Sequence, residues 1–201
     1  MKSLVNVGDS KLGADDFEGA FQILSQARDL FREIADAEGL AKSLIHIADL
    51  ARLSNPVAFM EFDVSVVSKR TVDPFDIGAQ PVSLYKEALS LSRNDSRRQR
   101  AYLSLADMYL MANQLDDAVA ACREALAIST PHHDTAMRRW VITQSLSLAI
   151  SLQSHSLSAA AREIAIACRR LCDAFNVGDS LRAEVDKQIS EILRGSGGSG
   201  D

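Results

Sequence analysis

Few residues of this chain have both the type and the spacing to do chemistry. Pro131-His132-His133-Asp134 sets two imidazoles beside a carboxylate. Adjacent side chains diverge at a helix start, so a solvated cap is the better account than a metal site. Cys168 and Cys172 stand four apart on one helix face, but no further His or Cys is spaced to complete a tetrahedral metal site. With Cys122 the thiols total three, an odd number lying in helical pattern, so we read them as reduced packing residues. His46 and His155 are isolated. Arg97, Arg98 and Arg100, with Arg138 and Arg139, offer a basic patch for phosphate or an acidic partner, against the plainer reading of a solvated face. There is no glycine-rich phosphate loop, GxSxG, HExxH or CxxC motif, so neither catalysis nor a cofactor nor a metal is expected.

A second pattern is charged and periodic. A basic residue lies seven before an aspartate in Lys2/Asp9, Lys42/Asp49 and Arg100/Asp107. Seven residues are two helical turns, so both charges of a pair fall on one helix face. Either each aspartate pairs with a basic residue of a neighbouring element and holds the stack together, or the row of carboxylates recognises a basic or backbone-donating peptide.

The elements that would position these groups are helical. The chain has 201 residues, 47% of them hydrophobic and only 5% aromatic, which suits helix-on-helix packing around a sizeable core. A net charge of −5 argues against nucleic acid or an anionic membrane as the main partner. No apolar run approaches the roughly 20 residues of a membrane span, and the N-terminus lacks a signal-peptide pattern, so a cytoplasmic location is expected. Residues 195–201 read as a Gly/Ser linker, leaving 1–194 as one domain.

Tyr102 to Ser129 contains two helices that cannot be stable apart. Its spacing of Ala106, Tyr109, Ala118, Cys122 and Ala125 resembles the tetratricopeptide repeat, which asks for small and aromatic residues at these offsets. Equivalents of Ala106 are Gly8, Ala48 and Ala149, in steps of 40, 58 and 43 residues. A standard unit is about 34 residues, so these hairpins are long and the middle step carries an insertion. Val7-Gly8-Asp9, Ile47-Ala48-Asp49 and Leu105-Ala106-Asp107 repeat the order apolar, small, Asp. The resemblance implies an all-α right-handed superhelical solenoid of about four helical hairpins plus a C-terminal capping helix.

Element boundaries follow from breakers and caps. Helices are expected over Lys2–Leu12 and Asp16–Ala35, then, after a break at Gly39, over Leu40–Leu53. Further helices follow over Pro81–Leu91, from Asn94 or Asp95, from Thr130-Pro131, from a cap at Ser156, and from Asp179 or Ser180 to Arg194. Basic residues open the helix after Asn94, opposing its dipole, which points to an acidic neighbour or ligand there. The insertion, 54–78, alternates apolar and polar residues from Met60 to Val66 and is expected to be non-helical. It is read as a surface arm, or as a functional one, with Phe59, Met60, Phe62 and Val64 as its contact residues.

In tetratricopeptide proteins the first helix of each unit lines a concave groove that binds a segment of another protein. Carried over, the groove residues here would be Lys42, Ile45, His46, Asp49, Arg52, Arg100, Leu103, Asp107, Leu110 and Leu146. The family's two-carboxylate clamp for chaperone C-termini is not reproduced, because Val5, Asp9, His46, Arg100 and Ser104 stand at its places and only one of the five fits. The expectation is a non-catalytic module for a protein or peptide segment, basic if the Asp row reads it, with no nucleic acid and no membrane partner. A ligand- or peptide-sensing regulatory domain is one alternative. Self-assembly through the insertion is another.

Overall fold

The computed structural model describes Val5, Asn6, Gly8 and residues 16–54, 80–128, 135–175 and 177–195. Among these there are eight α-helices and no strand. They are α1 (Phe17–Glu33), α2 (Ala37–Ser54), α3 (Gln80–Leu91), α4 (Asp95–Met111), α5 (Leu115–Ala127), α6 (Thr135–Ser154), α7 (Ser158–Phe175) and α8 (Asp179–Gly195). The insertion with Phe59, Met60, Phe62 and Val64, the Pro131–Asp134 cluster, Lys2, Asp9 and the Gly/Ser tail beyond 195 lie outside the described residues. The chain divides into two compact units, residues 1–104 and 105–201, with the boundary inside α4.

In the first unit α1 and α2 form a hairpin whose ends are set by repeated chemistry. Asp16 accepts from the Gly19 N–H at 3.0 Å, and Asp36 accepts from the Gly39 N–H at 3.0 Å. Each aspartate thereby satisfies an orphan donor of its helix's first turn. Gly39 was expected to break the pattern, but it lies within the first turn of α2. The break falls instead at Ala35, which adopts a left-handed φ of 55°. Gly39 answers a packing need: a Cβ there would sit 2.3 Å from Phe31 Cδ1, so the ring lies directly on the helix backbone. Gly8 is similar, since its Cβ would meet Leu24 Cγ at 2.8 Å. Ala20, Leu24, Ala27 and Phe31 of α1 face Leu40, Ala41, Leu44 and Ala48 of the α2 core, all buried. Helix α3 returns against α2 in the opposite sense, with Ser92 at its end beside Glu38 and Tyr85 nearer its start beside Asp49.

The second unit repeats the turn geometry. Asn113, between α4 and α5, has φ 55°, and Ser156, between α6 and α7, has φ 64°. At all three turns the next residue donates back to a carbonyl five positions earlier: Asp36 to Phe31, Gln114 to Tyr109 and Leu157 to Leu152, at 2.9, 2.8 and 3.0 Å. This closes the last helical carbonyls without a glycine. Ser156 is therefore the left-handed turn residue and not the expected cap, because a helix cap needs extended backbone and this position is inverted. Asn94 does cap α4, accepting from the Arg97 N–H at 3.1 Å. The core of this unit runs through Ala118, Cys122 and Ala125 of α5, Ile142, Leu146, Ala149 and Leu152 of α6, and Ala161, Ile164 and Cys168 of α7. Val185, Ile189 and Ile192 of α8 complete it. On α7 it is Ala161 and Cys168 that face the core, and on α8 it is Ile192, with Leu193 38% exposed.

Candidate interaction face

The polar residues that the sequence placed on one face of α2 and α4 converge on a buried carboxylate. Asp49 is only 5% exposed. Its Oδ1 accepts from the Tyr85 hydroxyl at 2.5 Å and its Oδ2 from Arg100 Nη2 at 2.5 Å. Three helices, α2, α3 and α4, thus meet at one charged, fully partnered group. A buried carboxylate is tolerable only when both oxygens are satisfied in this way. Burial first, and then the Asp49 charge, hold the Tyr85 phenol protonated far above its ordinary range, so it remains a donor. Asp49 therefore pairs with the basic residue of the following helix pair, the stack-holding alternative set out above. Its carboxylate is not displayed to a partner.

A second node sits at the start of α2. Glu38 accepts from the Ser92 hydroxyl at 2.9 Å, the Arg93 N–H at 2.6 Å and Arg97 Nη1 at 2.5 Å. Partial burial pushes the Glu38 carboxyl up, but the Arg93, Ser92 and Arg97 donors outweigh it and leave its pKa below the ordinary value. Here is the acidic neighbour anticipated from the basic opening of α4. Sequence reading named neither Glu38 nor the Tyr85 hydroxyl. The signals available were that arginine-rich helix start and the recurrence of Asp-x-Glu-Gly at 16–19 and 36–39.

The expected groove residues separate by exposure. Ile45, His46, Asp49 and Leu103 in the first unit, and Leu146 in the second, are at most 8% exposed and act in packing or pairing. Lys42, Arg52 and Arg100 in the first unit, and Asp107 and Leu110 in the second, keep partly exposed side chains. Lys42 Nζ lies 3.5 Å from the neutral Asn6 Oδ1, and the Arg100 side chain is 41% exposed despite its pair with Asp49. In the first unit, then, the partly exposed charges of this face are cationic, because its aspartate has been taken inward.

In the second unit the three thiols are buried and unpaired. Burial, opposed in part by the neighbouring Ser145 hydroxyl, pushes the Cys122 thiol up to about 12. Burial and then the neighbouring Cys122 and Cys172 push Cys168 up further still. Such thiols are neutral packing groups with little nucleophilic character. Arg138 stacks over the Phe175 ring at 4.5 Å, joining the start of α6 to the end of α7. Among the described residues no group of three or more His, Cys, Asp or Glu is arranged to hold a metal ion. No helix among them is long and apolar enough to cross a membrane.

No family model matches the sequence. No curated protein matches it either. Among solved structures the chain is similar to one titled "Crystal structure of MamA protein", at 16% identity and a TM-score of 0.51, over 98% of this chain and 93% of that one. That likeness concerns the fold. It places the chain with all-α proteins of the helical-repeat kind and agrees with a tetratricopeptide-like arrangement at that coarse level.

Proposed function

We propose that this chain is a non-catalytic binding module that takes a segment of a partner protein along the α2–α4 face of its first unit. The observation that carries this reading is the Asp49 node. Tyr85 and Arg100 draw the only carboxylate expected on that part of the face into the core. Lys42, Arg52 and Arg100 remain as its partly exposed charges. The basic partner expected from the Asp row is therefore replaced by an acidic one, since carboxylates complement what is displayed. Rigid helices already fixed by the node would present these cations without first having to be ordered, which lowers the entropic cost of binding. The module would act in the cytoplasm.

The test is fluorescence anisotropy with two labelled amphipathic peptides of equal length, one rich in Asp and Glu and one rich in Lys. The acidic peptide should bind with a salt-sensitive affinity that Lys42→Glu weakens by about tenfold, as expected for a close charge pair. Preferential binding of the lysine peptide, or an affinity indifferent to Lys42→Glu, would refute the proposal.

A further inference from the structure

Two helix faces carry charges that have no partner among the described residues, and each surrounds exposed apolar side chains. On α7, Arg162, Ile166 and Arg170 succeed one another at four-residue intervals and all three are exposed. Ile166 is 40% exposed. The other charges of that face are matched: Arg123 holds Glu163 at 2.5 Å, Arg169 lies 3.5 Å from Asp186, and Arg182 pairs with Asp173. Among the described residues Arg162 and Arg170 have no carboxylate.

The end of α1 has the inverse composition. Leu30 and Ile34, one turn apart, are 38% and 49% exposed. Asp29 is matched by Arg28 and Arg32, and Arg32 also reaches Glu87 at 3.5 Å. Glu33 has no cation among the described residues. Asp36 uses one oxygen on the Gly39 N–H and likewise has none. The face therefore reads acid, apolar, acid against the other's Arg, Ile, Arg.

We propose that these two faces bind each other between two copies of this chain, α1 of one copy against α7 of the next. The occupant is a second copy because both halves of the complementary pair belong to this sequence. A chain of net charge −5 repels its own copies in general, so self-contact favours a place where sign and apolar character match. The two faces differ, so the contact is heterologous. It closes only if both pairs form in one dimer or if the array becomes a ring. The inference is independent of the α2–α4 face, which supplies none of these residues.

The experiment is sedimentation velocity over a concentration series, at low and moderate salt, on the wild type, Glu33→Arg, Arg162→Glu/Arg170→Glu and the three substitutions combined. All three positions are exposed, and thermal melts by circular dichroism verify that each variant folds. The wild type should gain mass with concentration. Glu33→Arg and the double variant should each need at least about tenfold more protein to associate. The combined variant, with the charges exchanged, should recover association. A wild type that stays monomeric throughout, association indifferent to either reversal, or a combined variant that does not recover would each overturn the proposal.

Discussion

Asp49 and Tyr85 show how one pair of atoms can decide what a face displays. The Tyr85 hydroxyl is fully buried and has a charged acceptor, so Tyr85→Phe should remove a charge-assisted bond and cost roughly 1.5–3 kcal/mol in urea unfolding. Asp49→Ala should cost at least as much, because it leaves the phenol without its acceptor in the core. Equal stability of Tyr85→Phe and wild type would mean that the bond contributes nothing. Gly39 makes an independent test. On helix propensity alone Gly39→Ala would stabilise α2 by roughly 1 kcal/mol. Because the new Cβ would fall 2.3 Å from the Phe31 ring, the variant should instead be destabilised, and Phe31→Leu should remove the penalty in a double-mutant cycle. The thiols should also behave as core atoms. Cys122, Cys168 and Cys172 should resist a thiol-specific reagent in the native protein and react when it is unfolded.

At the scale of the element, the hairpin ends carry the testable content. Ala35 holds a left-handed conformation that costs an L-residue roughly 1–2 kcal/mol, so Ala35→Gly should raise stability by up to about 1 kcal/mol once the glycine's greater unfolded-state entropy is subtracted. Glu38 ties α2 to the α3–α4 turn, and its depressed pKa fixes the sign of its pH dependence. A carboxyl whose folded pKa lies below its unfolded value stabilises the fold fully above the ordinary value of 4.5, and that contribution is lost as pH falls through the folded value. Wild type should therefore exceed Glu38→Gln in melting temperature at neutral pH, and the gap should narrow in acid. A gap that is constant with pH would show that the Glu38 charge is not what matters.

Much of this was legible in the sequence. The small residues Gly8, Ala48, Ala106 and Ala149 and the helix start at Asn94 or Asp95 are local signals, and they have their counterparts among the buried residues and in the Asn94 cap. What could not be read was non-local or depended on an inverted backbone. Nothing near Asp49 in the sequence shows that it turns inward to Tyr85, 36 residues away, and not outward to solvent. Ser156 looks like a cap because serine usually is one, and Gly39 like a breaker because glycine usually is one. In both cases the turn beside it, or the ring above it, decided otherwise.

At the scale of the whole molecule the chain is an all-α protein of the helical-repeat kind, a statement in which its helix content and its likeness to MamA agree. Folds of this kind place side chains on long regular faces. On the α2–α4 face of the first unit the partly exposed charged side chains are Lys42, Arg52 and Arg100, the last held by Asp49, and the function proposed above stands on their sign. The most direct measurement is quantitative affinity capture with the wild type and with a folded Lys42→Glu/Arg52→Glu variant, the retained proteins compared by mass spectrometry. The account predicts a set of retained proteins with acidic segments that is lost from the variant and displaced from the wild type by the acidic peptide. Retention of the same proteins by both forms would contradict it.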